Sequence, residues 1–95
     1  MYAVMRRYQY DPQDAAELNR QVREGFVPLL QQTPGFVAYY WLDSGTGTGA
    51  SMSVFADQAG AEASVRLAAD FVRQHLAALT LGEAEVIQGE VQAHA

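Results

Sequence analysis

The fold of this chain is decided by the stretch Pro34-Gly35-Phe36-Val37-Ala38-Tyr39-Tyr40-Trp41-Leu42. Pro34 and Gly35 are typical of a helix end, and the residues from Phe36 to Leu42 are all apolar or aromatic, without alternation. A strand with one face in water alternates apolar and polar residues, so this strand is expected to be covered on both faces. Because a chain of 95 residues has few elements with which to cover both faces of a sheet, we expect a second copy of the chain to cover the open face.

Composition limits the classes of partner. The length predicts one domain over residues 1–95, with residues 93–95 as a flexible tail. The chain has 11 acidic and 6 basic residues and a net charge of −5, which disfavours nucleic-acid binding. No apolar run approaches the roughly 18 residues of a membrane span, so no membrane partner is expected. The absence of cysteine excludes disulfides and thiolate chemistry, and a cytoplasmic location is expected.

Capping and periodicity predict the order of the elements. Asp11-Pro12 and Asp57 are helix-start signals, and Pro28 is expected to kink the first helix or divide it. The predicted strands are Tyr2–Tyr10, Phe36–Leu42, Ala50–Ala56 and Glu85–Gln92, and the apolar stripe of the second helix is expected to run as far as Leu79. Two βαβ halves joined by a hairpin predict an α+β, ferredoxin-like βαββαβ fold, a four-stranded antiparallel sheet with both helices on one face.

Three segments resemble a known family. They are Pro34-Gly35-Phe36 followed by Tyr39-Tyr40-Trp41, the strand Ser51-Met52-Ser53-Val54-Phe55 followed by Asp57, and the helix segment Ala63–Ala69. With them the chain resembles the dimeric α+β barrel superfamily, specifically antibiotic-biosynthesis-monooxygenase-like domains. The resemblance implies a homodimer in which two sheets pack through their open faces.

The resemblance also implies a range of activities. Members of the family include cofactor-free monooxygenases that form quinones, haem-degrading enzymes, isomerases and domains without an assigned reaction. The leading expectation is a homodimeric, cofactor-independent monooxygenase that binds a small aromatic or quinone-type ligand between sheet and helices. The alternatives are a non-catalytic ligand-binding or structural dimer, a ring isomerase or decarboxylase, and a haem-degrading relative.

His75 is the candidate catalytic base, because it is the one histidine inside a predicted element. It could equally be a boundary histidine that is partly packed, with one ring nitrogen in water. The haem-degrading relatives pair such a histidine with an asparagine on the first strand and a tryptophan in the helical region. This chain has Met5-Arg6-Arg7 on the first strand and its only tryptophan, Trp41, on the second, so no haem and no other cofactor is expected.

Arg6 and Arg7 are candidate ligand-binding residues. They lie on opposite faces of the first strand, so one of them must point towards the helices or into the barrel. A buried arginine needs an anion, which could be a phenolate or carboxylate of the ligand or the side chain of Glu90 on the last strand.

Tyr40 and Trp41 are candidate walls of an aromatic ligand slot, since each combines a ring face with a hydrogen-bonding tip. The same residues would also serve as anchors of the dimer interface. No pair of histidines has metal-ligand spacing, so no metal site is expected.

Overall fold

The strands form one antiparallel sheet in the order β2-β3-β1-β4. The computed structural model describes residues 1–95. Its strands are β1 (Tyr2–Gln9), β2 (Phe36–Asp43), β3 (Thr48–Phe55) and β4 (Glu85–Glu90), and its α-helices are α1 (Ala15–Gln21), α2 (Val27–Gln31) and α3 (Gln58–His75). This order and topology confirm the ferredoxin-like prediction. No helix is both long enough and apolar enough to span a membrane.

The first helical region begins at the predicted cap and divides before Pro28. The Asp11 carboxylate accepts a hydrogen bond from the backbone N–H of Gln13 at 2.9 Å, and Pro12 opens a short 3₁₀ turn that leads into α1. The segment Val22–Phe26 widens into a π-helical turn, and α2 follows with Pro28 in its first turn. Because the backbone stays helical through Phe26 and Val27, the missing N–H of Pro28 removes one hydrogen bond from a continuous helical region, and the π-helical turn lies directly before it.

A bulge in β2 assigns its aromatic rings to two faces. The register slips between Phe36 and Ala38, which leaves Val37 without a partner on β3. Beyond the bulge, Tyr39 and Trp41 face the helices together with Ser53 and Ser51 of β3. The strand therefore alternates in space although its sequence does not alternate in polarity.

The second face of the sheet, here called the outer face, is apolar and carries no helix. Its most exposed large side chains are Tyr40, Leu42 and Ile87, at 63%, 65% and 66% exposure. Met52 lies opposite Tyr40 in the register and is also exposed. The large exposed apolar side chains of the sheet are therefore gathered on this one face.

The helix α3 is shorter than its apolar stripe predicted. The Asp57 carboxylate caps it by accepting a hydrogen bond from the Gly60 N–H at 3.0 Å, but the helix ends at His75 rather than continuing to Leu79. The expectation was wrong because the following residues find other partners. The Thr80 N–H and hydroxyl both donate to the Asp14 carboxylate, at 3.1 and 2.8 Å.

The core lies between the inner face of the sheet and the helices. Leu29 lies outside this core at 38% exposure, whereas its neighbour Leu30 is fully buried. The buried apolar residues are Val4, Tyr10, Leu18, Val22, Phe26, Leu30, Phe55, Ala61, Ala68, Phe71 and Leu76.

Candidate functional site

A small cavity lies inside this core, between β1, β2, β3 and the helices. Its volume is about 30 Å³. Arg6 and Ser51 are the polar residues of its lining, and the others are Tyr8, Leu18, Val22, Phe26, Tyr39, Trp41, Ala68, Phe71, Val72, Leu76 and Leu81. The cavity is therefore an apolar space with one cationic side chain.

Arg6 enters this space because its position on β1 faces the helices. The residue is 4% exposed, and none of the side-chain hydrogen bonds or ion pairs of the structure involves it. Its Nη2 is fully buried without an acceptor. Burial lowers the pKa of the guanidinium from its ordinary value, as expected for a cation in apolar surroundings. A buried guanidinium N–H without an acceptor favours the binding of an anion.

The proposed ion pair with Glu90 is not formed within the chain. Glu90 lies opposite Tyr2 in the register, whereas Val86 lies opposite Arg6. Arg7 is opposite Glu85 and is exposed on the outer face, away from the cavity. The structure therefore separates the two arginines and brings only Arg6 to the cavity.

Two phenols stand near the guanidinium. Burial raises the pKa of Tyr8, and it raises the pKa of Tyr39 well above its ordinary value, so both hydroxyls stay protonated at neutral pH. Tyr8 shares the inner face of β1 with Arg6, and Tyr39 lies between Phe36 and Trp41 on the inner face of β2. Protonated hydroxyls can donate hydrogen bonds to an anionic oxygen held by Arg6.

Aromatic rings from three elements wall the cavity. Phe26 of the π-helical turn contacts Tyr39 edge-on at a centroid distance of 5.7 Å and Phe71 of α3 at 5.3 Å. The turn comes this close because Gly25 has no side chain; a Cβ there would lie 2.9 Å from Cζ of Phe71. Phe26 and Phe71 were not singled out from the sequence, because an apolar residue at helical spacing carries no signal that distinguishes a cavity wall from an ordinary core position.

Trp41 also lines the cavity, and polar neighbours fix its indole. Its Nε1 donates to Oδ1 of Asn19 at 2.8 Å, and Nδ2 of Asn19 donates to Oδ2 of Asp43 at 3.0 Å. The Tyr10 hydroxyl donates to Oδ1 of the same carboxylate at 2.7 Å. Tyr40, by contrast, points to the outer face, so the other predicted wall residue does not reach the cavity and Tyr39 takes its place.

His75 is exposed at the last position of α3 and is absent from the cavity lining. Its ring packs on Phe71 with a centroid distance of 4.8 Å, so the Phe71 ring separates the imidazole from the cavity. The structure thus does not bring His75 and Arg6 together. No group of three or more histidine or carboxylate side chains is arranged to hold a metal ion.

No protein-family model and no curated protein sequence matches this chain. Solved structures do match it over nearly its full length. A protein of unknown function from Nitrosomonas europaea is 25% identical, with a TM-score of 0.82 over 99% of this chain and 91% of that chain.

Two matching proteins that are named for an activity are more distant in sequence. The haem-degrading protein MhuD from Mycobacterium tuberculosis, solved with two haems, is 14% identical, with a TM-score of 0.77 over 100% of this chain and 99% of that one. The monooxygenase ActVA-Orf6 of Streptomyces coelicolor, solved with nanaomycin D, is 10% identical, with a TM-score of 0.72 over 99% and 89% of the two chains. The chain therefore shares its fold with these proteins, one of which is a haem degrader and another a monooxygenase.

Proposed function

We propose that the protein is a cytoplasmic homodimer that oxygenates small phenols or hydroquinones to quinones without a cofactor. The observation that carries the proposal is the unpartnered guanidinium of Arg6 inside an aromatic-walled cavity. A phenolate oxygen is the anion that suits such a cavity, because its charge pairs with the guanidinium while its ring packs against Phe26, Tyr39 and Phe71. Similar folds carry oxygenase activity, which supports this chemistry.

The residues account for the difficult part of the reaction, which is to ionise the substrate. Pairing with Arg6 lowers the pKa of the bound phenol, and the apolar walls exclude water that would weaken that pairing. The ionised ring and dioxygen then form a C–O bond to give a ring peroxide anion, which takes back the proton lost by the phenol and becomes a ring hydroperoxide. Loss of water from it leaves a quinone carbonyl, so one oxygen atom enters the product and the other leaves as water.

His75 remains the candidate base in this proposal, although Phe71 stands between it and the cavity. It can accept the phenol proton only when that ring moves or through the solvent. Arg6 acts on the substrate oxygen itself, so we assign to it the larger share of the ionisation.

The residues do not fit haem. A porphyrin would require the cavity of about 30 Å³ to open far more widely than a one- or two-ring phenol would, and the exposed His75 ring packs on Phe71 instead of facing the cavity. Haem degradation is therefore not part of the proposal.

Oxygen uptake with 1-naphthol and a panel of related phenols tests the proposed reaction. The wild type should consume oxygen and form a quinone that carries one atom of isotopically labelled dioxygen. Arg6→Met should lose the activity, and His75→Ala should reduce it. Uptake by the wild type no faster than by Arg6→Met contradicts the oxygenase proposal. Binding of the phenols without turnover would favour the non-catalytic ligand-binding dimer.

The homodimer is supported by the outer face, where large apolar side chains of three strands lie exposed. Packing this face against its copy would remove them from water, which is the main driving force for association. Ile87→Glu should break the dimer in sedimentation experiments. Gln88→Glu is the matched control, because this exposed neighbour lies on the other face of β4 and gains the same charge. A wild type that sediments as a monomer at micromolar concentration, or equal effects of the two variants, contradicts the proposed interface.

A further inference from the structure

The cavity is too small, as it stands, for the ligand that its chemistry favours. About 30 Å³ is the space that one water molecule takes in the liquid, whereas sites for small organic ligands occupy roughly 300–1,000 Å³. An open groove of about 350 Å³ lies next to it, on the side of α1 and the π-helical turn. The groove and the cavity share the wall residues Val22, Tyr39 and Trp41.

Trp41 is the part of this wall that a specific polar contact holds in place. The indole N–H is bound to Asn19, and Asn19 is bound in turn to Asp43. Its ring also lies close against the backbone at Gly49, where a Cβ would be 2.7 Å from Cη2 of the indole. The closed position of Trp41 therefore depends on one hydrogen bond to Asn19 and on a glycine beneath the ring.

The two spaces differ in chemistry in a way that suits the two ends of one ligand. The inner end offers the unpartnered cation Arg6 among apolar walls. The groove offers the polar side chains Arg23 and Asp43 to a ligand, because Asn19 in the same lining is already bound to Trp41 and to Asp43. A flat ring system with an anionic oxygen at one end and a hydrogen-bonding group at the other matches both.

We infer that the groove is the second half of the ligand site and that Trp41, held by Asn19, is the gate between the halves. The ligand is a planar aromatic anion that displaces the indole, places its charged end on Arg6 and leaves its polar end in the groove. Asn19 is a positioning residue, because it acts only through Trp41. This inference rests on the cavity used in the proposed function and needs no turnover.

Binding of 6-hydroxy-2-naphthoate, followed by calorimetry and by stopped-flow fluorescence of the single tryptophan, tests it. Wild type should bind this anion at least about tenfold more tightly than neutral 2-naphthol, as expected for a charge-assisted hydrogen bond, and Arg6→Met should abolish the difference. Asn19→Ala should raise the affinity and the association rate about fivefold, the factor that corresponds to the net value of one neutral hydrogen bond. Gln13→Ala, an exposed change on the preceding turn, should leave both values unchanged.

Trp41→Phe gives a second readout should Asn19→Ala fail to fold, since phenylalanine keeps a ring but loses the N–H. It too should raise the affinity measured by calorimetry. If the wild type and the folded variant bind the naphthoate with equal affinity, the proposed gating by Trp41 and Asn19 is contradicted. A second result would also contradict the gate: 4-hydroxybenzoate, which has one ring, binds as tightly as the naphthoate and leaves the tryptophan fluorescence unchanged. Such a ligand would not use the groove. Gated binding without oxygen uptake would keep this inference and remove only the oxygenase proposal.

Discussion

Replacing Arg6 by methionine should stabilise the ligand-free protein while it abolishes ligand binding. The side chain is 4% exposed and has no acceptor, so the native state carries the cost of a desolvated cation without the gain of a partner. Leaving a buried polar group unsatisfied costs about 1–3 kcal/mol, and more for a charged one. Methionine fills a similar length with apolar atoms and removes that cost.

We therefore expect Arg6→Met to raise the free energy of unfolding by about 1–3 kcal/mol. For a domain of this size, each kcal/mol corresponds to roughly 4–8 °C in Tm. Urea unfolding at one fixed protein concentration measures the change, since dimerisation makes apparent stability depend on concentration. Arg66→Met is the matched control, because Arg66 is exposed on α3 and forms no ion pair, and it should change stability by less than about 0.5 kcal/mol.

A loss of stability in Arg6→Met, together with unchanged affinity for 6-hydroxy-2-naphthoate, would refute this reasoning. Arg6 would then be a structural residue whose partner is supplied in some other way. A gain in stability with loss of binding is the pattern expected of a residue kept for function.

Four further substitutions test other parts of the site and the outer face. Trp41→Ala should lower the free energy of unfolding by about 3–5 kcal/mol in urea titrations, as for other large aromatic truncations, whereas Tyr40→Ala should act chiefly by weakening the dimer in sedimentation. Gly49→Ala should cost roughly 1–3 kcal/mol and shift tryptophan emission to longer wavelength, because the new methyl group displaces the indole into water. Asp43 accepts hydrogen bonds from Asn19, from Tyr10 and from a backbone N–H, and these lower the pKa of its carboxyl below the ordinary value. The Asp43 carboxylate therefore contributes fully to stability when the pH is above the ordinary pKa of an aspartate. This contribution is lost as the pH falls through the lowered pKa that the group has in the folded protein. The stability difference between wild type and Asp43→Asn should accordingly shrink from about pH 5 to about pH 2 in urea titrations, and a constant difference would argue against this role.

The architecture could be predicted because its signals are local. Asp11-Pro12 and Asp57 mark helix starts through hydrogen bonds that their own side chains make, and both caps are present in the structure. Once the chain is divided into two βαβ halves, the right-handed crossover rule leaves few possible topologies for the sheet. The end of α3 could not be predicted in this way, because contacts of Thr80 with Asp14, 66 residues earlier, compete with the continuing helix.

The site was only partly predictable, because it depends on which way the side chains of each strand point. The pair Arg6-Arg7 showed that one arginine must enter the core, but not which one. The bulge at Val37 decides that Tyr39 and Trp41 face the cavity and Tyr40 does not, and nothing in an unbroken apolar run shows where a bulge falls. The bond between Trp41 and Asn19 joins residues of β2 and α1 and has no sequence signal at all.

We propose above all that Arg6 holds the anionic oxygen of an aromatic ligand. The most direct test of this claim is a pH titration of bound 4-nitrophenol, whose ionised form has its own visible absorption band. With wild type in excess, the phenol should ionise at a lower pH than in buffer, because the guanidinium favours the charged form. With Arg6→Met, any bound phenol should ionise at the same pH as in buffer or at a higher one. Ionisation of the bound phenol at the same pH with both proteins would contradict the claim.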